Sequence, residues 1–187
     1  MYDVIIIGGG TAGGSAAIFA AKAGKSTLIL DSNQSMTKRA WMLNHYGIKE
    51  IAGPDLIAQG LEQAASFGAE YVEAKVTNVT PAEDGILVHT EGGDYTGKHV
   101  LLATGALTDL ANHIGLELKD GREPRIKTVI AVDNDGRTNL SNIWAAGTVA
   151  GTSVHTIITA GDGAKVAINI ISELNGERYV DHDVLKS

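Results

Sequence analysis

Hydrophobic positions fall into two kinds of run along this chain. Val4-Ile5-Ile6-Ile7, Leu28-Ile29-Leu30 and Val100-Leu101-Leu102-Ala103 are continuous, largely aliphatic stretches, the pattern of strands covered on both faces of a parallel sheet. Tyr71 to Val79 alternates and is expected to form a half-buried strand, as is Ile86 to Thr90, which pairs with Asp94 to Gly97 in a hairpin around Gly92-Gly93. Three segments keep helical spacing. The alanine-rich Gly14 to Gly24 follows the first strand, Pro54-Asp55 opens a second helix that stops at Gly68, and Thr156 to Leu174 forms a third that ends at Asn175-Gly176. The opening strand, helix and strand make a βαβ unit with a right-handed crossover.

The remaining segments are less regular. Residues 32 to 53 show no period and read as a long functional loop; residues 106 to 125 read as a loop with a short helical turn near Leu110 to Ile114. Ile126 to Val132 and Asn142 to Ala146 are expected strands on either side of an Asp133-Asn134-Asp135-Gly136 turn. The expectation is one α/β domain over residues 1–187, a Rossmann-like parallel sheet with helices and a small antiparallel β insert.

Composition narrows the chemistry. Glycine supplies 23 of 187 residues, well above the usual share of about 7%, so many backbone positions are expected to need tight turns or close approach. The sequence has no cysteine, which excludes a disulfide framework, thiolate metal ligation and a redox-active dithiol among these residues; redox chemistry would ride on a bound cofactor. A net charge of −7, with no basic run longer than Lys38-Arg39, argues against nucleic acid or an anionic membrane as partner. No apolar run approaches the ~18 residues of a membrane span, and a cytoplasmic location is the default expectation.

The candidate chemistry begins where the first strand ends. Gly8-x-Gly10-x-x-Gly13 lies between a strand and a helix, where Gly8 allows the turn, Gly10 lets backbone amides approach a diphosphate, and Gly13 lets helix and strand pack closely. The helix start offers free amides and partial positive charge to the phosphates. Asp31 closes the second strand, 18 residues after Gly13, where a carboxylate can accept from a ribose diol. The same pattern could serve packing, with Asp31 as a turn or capping residue, and it does not separate FAD from NAD.

Four further segments do separate them. Gly136-Arg137-Thr138 to Ile143-Trp144-Ala145-Ala146-Gly147-Thr148 resembles the second FAD motif of the flavoprotein disulfide reductase superfamily, and Ala103-Thr104-Gly105 resembles its Ala-Thr-Gly motif. Thr156-Ile157-Ile158-Thr159-Ala160-Gly161-Asp162-Gly163 is similar to the helix start that meets the flavin pyrimidine ring in thioredoxin reductases. Asn44-His45-Tyr46-Gly47 and Ala52-Gly53-Pro54-Asp55-Leu56 resemble their Asn-x-Pro-Gly and following Gly-x-x-Leu segments. The resemblance implies a thioredoxin-reductase-like flavoprotein that forms a homodimer and binds FAD. It carries the cofactor role onto Gly8, Gly10, Thr11, Ala12 and Gly13 at the first loop, Asp31 and Ser32 after the second strand, and Asn44. It extends that role to Val76 through the main chain, Ala103, Thr104 and Gly105, Gly147 and Thr148, and His155, Thr156 and Ile157 at the last helix start.

Two departures qualify what the resemblance implies. Thr148 stands where the superfamily has an aspartate for the ribityl hydroxyls, so a neutral hydroxyl replaces a charge. Thirty residues, Ala106 to Asp135, separate Gly105 from Gly136, too few for the NADPH domain with its Cys-x-x-Cys that thioredoxin reductases carry there. Gly161 and Gly163 are expected to serve helix-to-sheet packing instead of a second nucleotide site. The implied function is an FAD-dependent oxidoreductase that exchanges electrons with an external donor and acceptor, such as a small redox protein. The alternatives are a non-catalytic flavin-binding redox sensor and an NAD-binding Rossmann domain. His45 is the candidate for proton transfer to reduced flavin, against an ordinary loop histidine; Trp41 and Tyr46 could cover the flavin face, and Lys38 and Arg39 could balance the phosphates. His89, His99, His113 and His182 show no ligand spacing with one another, so no metal is expected.

Overall fold

The computed structural model describes residues 1–185. In chain order the elements are β1 (Tyr2–Ile7), α1 (Thr11–Lys22), β2 (Thr27–Asp31), β3 (Trp41–Met42), β4 (Ile51–Ala52), α2 (Gly53–Ser66), β5 (Glu70–Glu73), β6 (Val76–Ala82), β7 (Gly85–Thr90), β8 (Gly93–Leu102), α3 (Asp109–His113), β9 (Leu118–Asp120), β10 (Thr128–Ile130), β11 (Ile143–Ala145) and α4 (Thr156–Asn175). Strands β5, β2, β1, β8 and β11 lie side by side in that order, every neighbouring pair parallel. This is the strand order of a doubly wound nucleotide-binding sheet.

The continuous apolar runs are buried on both faces, and successive side chains divide between them. Val4, Ile6, Ile29, Leu101 and Trp144 pack beneath α1, α2 and α4 with Ala16, Ala20, Ala64, Val166 and Ile170. Ile5, Ile7, Leu28, Leu30, Val100 and Leu102 face the other way, against Val79, Ile86 and Val88 of the antiparallel insert and Leu116, Ile130 and Val149. Each fully buried Ile or Leu removes enough apolar surface from water to contribute about 1.5–3 kcal/mol.

Four expectations about element boundaries change. Tyr71 to Val79 is not one strand: β5 runs parallel to β2, and β6 runs antiparallel to β7. Between them the chain crosses the end of β2, where the Ala74 amide donates to the Asp31 carbonyl at 3.0 Å. The alternation continues through this crossing because both strands are half-buried, so a period-2 pattern carries no mark of the change of partner. Conversely, Asp94 to Gly97 and His99 to Ala103 are not separate strands: all but Ala103 belong to one ten-residue β8, whose first half pairs with β7 and whose second half pairs with β1 and β11. Ile126 to Val132 shortens to β10 and pairs with the unexpected β9 in a separate two-stranded sheet. The loop of residues 32 to 53 contains a 3-10 turn at Met36–Arg39 and a small β3–β4 ladder joining Trp41 to Ala52 and Met42 to Ile51.

The contact that brings α1 and α4 together is backbone on backbone. A Cβ at Gly163 would lie 2.0 Å from the carbonyl oxygen of Ala12, so α4 crosses α1 with no room for a side chain. Gly163 therefore serves helix-to-helix packing, not the expected helix-to-sheet packing. Gly161 has no atom within 4 Å of that position.

A polar cluster closes the opposite, amino-terminal edge of the sheet. Trp144 Nε1 donates to His99 Nδ1 at 3.1 Å, and the Arg137 guanidinium lies 4.6 Å from the Trp144 ring centroid while pairing with Asp135 and Glu173. His99 is buried, and that burial holds its imidazole below the ordinary histidine pKa against the opposing pull of Glu173 and Asp3; Lys98 and Arg137 also act to lower it. Among the described residues, no helix is long and apolar enough to cross a membrane.

Two outcomes follow from this packing. Gly163→Ala is expected to destabilise the fold by about 1–3 kcal/mol or more through overpacking. Gly161→Ala is expected to stabilise it by about 0.5–1 kcal/mol through helix propensity; urea midpoints measure both. His99 takes up its proton less readily folded than unfolded, so its contribution is complete above the unfolded pKa of about 6.5 and is lost as pH falls toward the depressed folded value. Urea midpoints measured from pH 7.5 down to about pH 5 should therefore fall more steeply for the wild type than for His99→Gln.

Candidate functional site

The carboxyl ends of the parallel strands are where an open α/β sheet presents its loops, and almost all of the candidate residues are gathered there. Gly8 follows β1 with φ +109° and donates its amide to Leu30 O at 2.8 Å. A Cβ on Gly8 would meet Ala103 O at 2.3 Å, and one on Gly13 would meet Gly8 O at 1.8 Å. The first loop, the Ala103-Thr104-Gly105 segment and the start of α1 are thus packed against one another with no side chain between them. The Ala103 amide donates to Ile7 O at 2.8 Å and the Ala146 amide to Leu102 O at 3.0 Å, which aligns the ends of β1, β8 and β11.

Gly10 is the N-cap of α1, and no side chain caps that helix and no acid lies in its first turn. The start of α4, with His155 at the N-cap, is likewise uncapped and free of acids. Each end therefore presents amides and partial positive charge to the same edge. Thr11 Oγ1 and Thr159 Oγ1 lie 2.7 Å apart and join the two helix starts, while Thr159 Oγ1 also donates to Thr156 O at 3.1 Å. His45 Nδ1 is 3.0 Å from Thr156 Oγ1, so the β3–β4 loop is tied to the start of α4.

At the other end of the cluster, Asp31 is buried, and its Oδ2 lies where a Cβ on Gly9 would be 2.9 Å away. Tyr71 donates its hydroxyl to that oxygen at 3.3 Å; burial first, then the Asp31 charge, pushes the phenol pKa up to about 12. Val76, the first residue of β6, lies just beyond the Ala74 crossing, and Ser32 follows Asp31 directly. An uncapped helix start next to side-chain-free backbone, with a buried carboxylate at the end of the adjacent strand, fits the diphosphate and ribose of a dinucleotide such as FAD.

Gly147, after β11, has φ +78° and lies against Ala12, whose Cβ would be 2.8 Å from a Cβ added at Gly147. Thr148 follows in the 3-10 turn Gly147–Ala150. That turn is held from α4: Asp162 Oδ2 accepts from the Gly147 amide and from Thr152 Oγ1, each at 2.8 Å.

Some candidates contribute differently from expectation. Thr104 directs its hydroxyl to Leu107 O at 2.6 Å, leaving its backbone as the part available to a ligand. Asn44 is exposed and, among the described residues, reaches the cluster only through its neighbour His45. Lys38 directs its ammonium to Asn33, and Trp41 and Tyr46 are 63% and 91% exposed. Sequence reasoning did not single out Asp162, Thr159 or Tyr71. Thr156 and Thr159 do share a helix face by their i, i+3 spacing. Asp162 is an acid between two glycines of a helix, and nothing local in the sequence shows which turn it holds.

A family model described as pyridine nucleotide-disulphide oxidoreductase matches residues 2–129. The thioredoxin reductase of Aquifex aeolicus (strain VF5) is 40% identical over 114 residues, covering 57% of this chain and 35% of that protein. That of Bacillus subtilis (strain 168) is 34% identical over 109 residues, covering 57% and 34%. The matched part of the chain thus spans about a third of the length of these curated relatives. Among solved structures, a thioredoxin reductase from Gloeobacter violaceus superposes with a TM-score of 0.82 at 18% identity, covering 99% of this chain and 98% of that one. A ferredoxin-flavin thioredoxin reductase from Clostridium acetobutylicum superposes with a TM-score of 0.74 at 19% identity, covering 94% and 98%. At these identities the likeness to solved structures shows the fold.

Removing the His45 imidazole should loosen the β3–β4 loop without unfolding the sheet. Loss of one hydrogen bond, worth about 0.5–1.5 kcal/mol, is expected to speed amide exchange across residues 43–48 by roughly 3–10-fold in His45→Ala. Exchange in β1 and β8 should stay unchanged in the same measurement.

Proposed function

The chain belongs to the pyridine nucleotide-disulphide oxidoreductase family, and from that premise we propose that it is a thioredoxin-reductase-like flavoprotein that binds FAD and exchanges electrons with a separate redox protein. The observation that carries this reading is the convergence of two uncapped helix starts, α1 and α4, joined through Thr11 and Thr159 on the edge that also holds Asp31. Two positive helix ends on one edge suit a long ligand with negative charge at its diphosphate and, on reduction, at its flavin ring.

In this reading Gly8, Gly10, Thr11, Ala12 and Gly13 hold the diphosphate by backbone amides. Asp31 accepts from the adenosine ribose with Ser32 beside it, and Val76 meets the adenine through its main chain. Ala103, Thr104 and Gly105 line the middle of the cleft. Gly147 and Thr148 receive the ribityl chain, and His155, Thr156 and Ile157 present the start of α4 to the flavin pyrimidine. Asn44 borders the ring. FAD, when bound, supplies acceptance of electrons in one-electron or two-electron steps. The protein's part is to bind, orient and manage protons. His45 has one ring nitrogen engaged by Thr156 Oγ1, and its second nitrogen is the group assigned to hold a proton beside the cofactor.

The residues available for the chemistry support an external electron source. The sequence has no cysteine, so a dithiol step requires another polypeptide or another segment. The segment between Gly105 and Gly136 builds α3 and the β9–β10 ladder, and we assign it no pyridine-nucleotide site. The name of the Clostridium acetobutylicum neighbour couples ferredoxin with a flavin thioredoxin reductase, which supports a small redox protein as the donor class. By family likeness the proposal includes a homodimer in the cytoplasm, with residues 1–187 acting as one FAD-binding domain.

The purified chain is expected to be yellow and to carry stoichiometric FAD. Under anaerobic conditions, reduced ferredoxin or flavodoxin should bleach the visible flavin band promptly, and NADH or NADPH should not. A protein that takes up no FAD overturns the cofactor reading; prompt bleaching by NADPH overturns the external donor. Asp31→Ala is expected to weaken FAD binding by roughly 10–100-fold, the loss of a hydrogen bond to a charged acceptor worth about 1.5–3 kcal/mol.

A further inference from the structure

Asp162 lies in the second turn of α4, and its carboxylate points inward, with a side chain 12% exposed. Its Oδ2 accepts from the Gly147 amide and from the Thr152 hydroxyl, each at 2.8 Å, and its Oδ1 pairs with Lys165 Nζ at 2.7 Å. The two bonds on Oδ2 bracket the 3-10 turn Gly147–Ala150 and the Gly151 that closes it, fixing both ends to α4. Within the turn, the Gly151 amide donates to Thr148 O at 3.0 Å, the Thr152 amide donates to Gly147 O at 3.2 Å and Val149 is buried, but neither Gly147 nor Thr148 supplies a charged group to hold it. Gly147 adopts φ +78° against Ala12 and has no side chain, and Thr148 offers a neutral hydroxyl.

We propose that Asp162 is the positioning residue of this turn, holding Gly147 and Thr148 in the conformation that receives the ribityl portion of FAD; this rests on the flavin reading above. A carboxylate accepting two hydrogen bonds is a stronger brace than a neutral acceptor, and a turn fixed before ligand arrival does not lose conformational freedom on binding. The chain thus brings a carboxylate to a turn whose own residue 148 is neutral, and uses it on the turn's amide and hydroxyl instead of directly on the ligand. Lys165, one helical turn onward, neutralises the remaining oxygen, so the brace adds little net charge near the diphosphate.

FAD affinity and the visible circular dichroism of bound FAD are to be measured on the full chain for the wild type, Asp162→Ala, Asp162→Asn, Thr148→Val and the Asp162→Ala/Thr148→Val pair. Asp162→Ala is expected to weaken FAD binding about 10-fold, the loss of one to two charge-assisted hydrogen bonds, and to alter the flavin dichroism. Asp162→Asn, whose amide oxygen can accept the same two bonds, should recover affinity to within about 3-fold of the wild type. The double variant should lose less than the product of the single losses, because both residues act through one turn. Wild-type affinity and dichroism in Asp162→Ala, or strictly multiplicative losses in the double variant, overturn the positioning role while leaving the flavin reading intact. A wild type that takes up no FAD overturns the flavin reading instead. In that case amide exchange of residues 147–152 judges the brace: about 10-fold faster in Asp162→Ala but not in Asp162→Asn supports it, and unchanged exchange overturns it.

Discussion

The arrangement depends on one close approach, the crossing of α1 and α4 at Ala12 and Gly163, where a backbone carbonyl occupies the space a side chain would need. Helices in contact through ordinary side chains lie about 8–10 Å apart, and a glycine at the crossing lets them come nearer. Because the contact falls close to the start of α1 and in the second turn of α4, it brings both helix N-termini to the same edge of the sheet. The Thr11–Thr159 hydroxyl contact then links the two starts directly. A bulkier residue at the crossing would move α4 relative to α1 and separate the two helix starts.

The sheet makes that approach possible by presenting two different faces. Alternate residues of β1, β2 and β8 fill a helix-side core and an insert-side core, so the central strands are covered on both sides. Strand β8 belongs to two ladders: its first half holds the antiparallel insert and its second half aligns β1 with β11. Its end delivers Ala103 to Gly8, and the end of β11 delivers Gly147 to Ala12. The glycine loop, the Ala-Thr-Gly segment and the Gly147 turn are therefore set by strand register; the first two are packed by backbone atoms and the third by the Ala12 methyl group, which leaves little freedom to drift.

Around this backbone scaffold the polar side chains act mainly on one another. Tyr71 holds Asp31, Thr156 holds His45, and Asp162 holds Gly147 and Thr152. Groups restrained in this way meet a ligand without first losing rotamer freedom, the general advantage of preorganised sites. These side-chain contacts add to what the helix and strand positions provide, most clearly where Thr148 is neutral and Asp162 carries the charge.

Local pattern alone determined the buried strands at Val4 to Ile7, Leu28 to Leu30 and Val100 to Leu102, the three long helices, and the glycine loop with Asp31 eighteen residues beyond Gly13. Each of these rests on interactions within a few residues: side-chain alternation, helical spacing, a turn only glycine can make. Tertiary structure alone decided that Tyr71 to Val79 splits between two partners, that Asp94 to Ala103 lies almost wholly in a single strand, that Gly163 meets Ala12, and that Asp162 braces Gly147 fifteen residues earlier. The physical reason is the same in each case. Periodicity records which face of an element is buried, but not which distant backbone or hydroxyl comes to cover it, and that depends on strand order and helix crossing, which no short stretch of sequence contains.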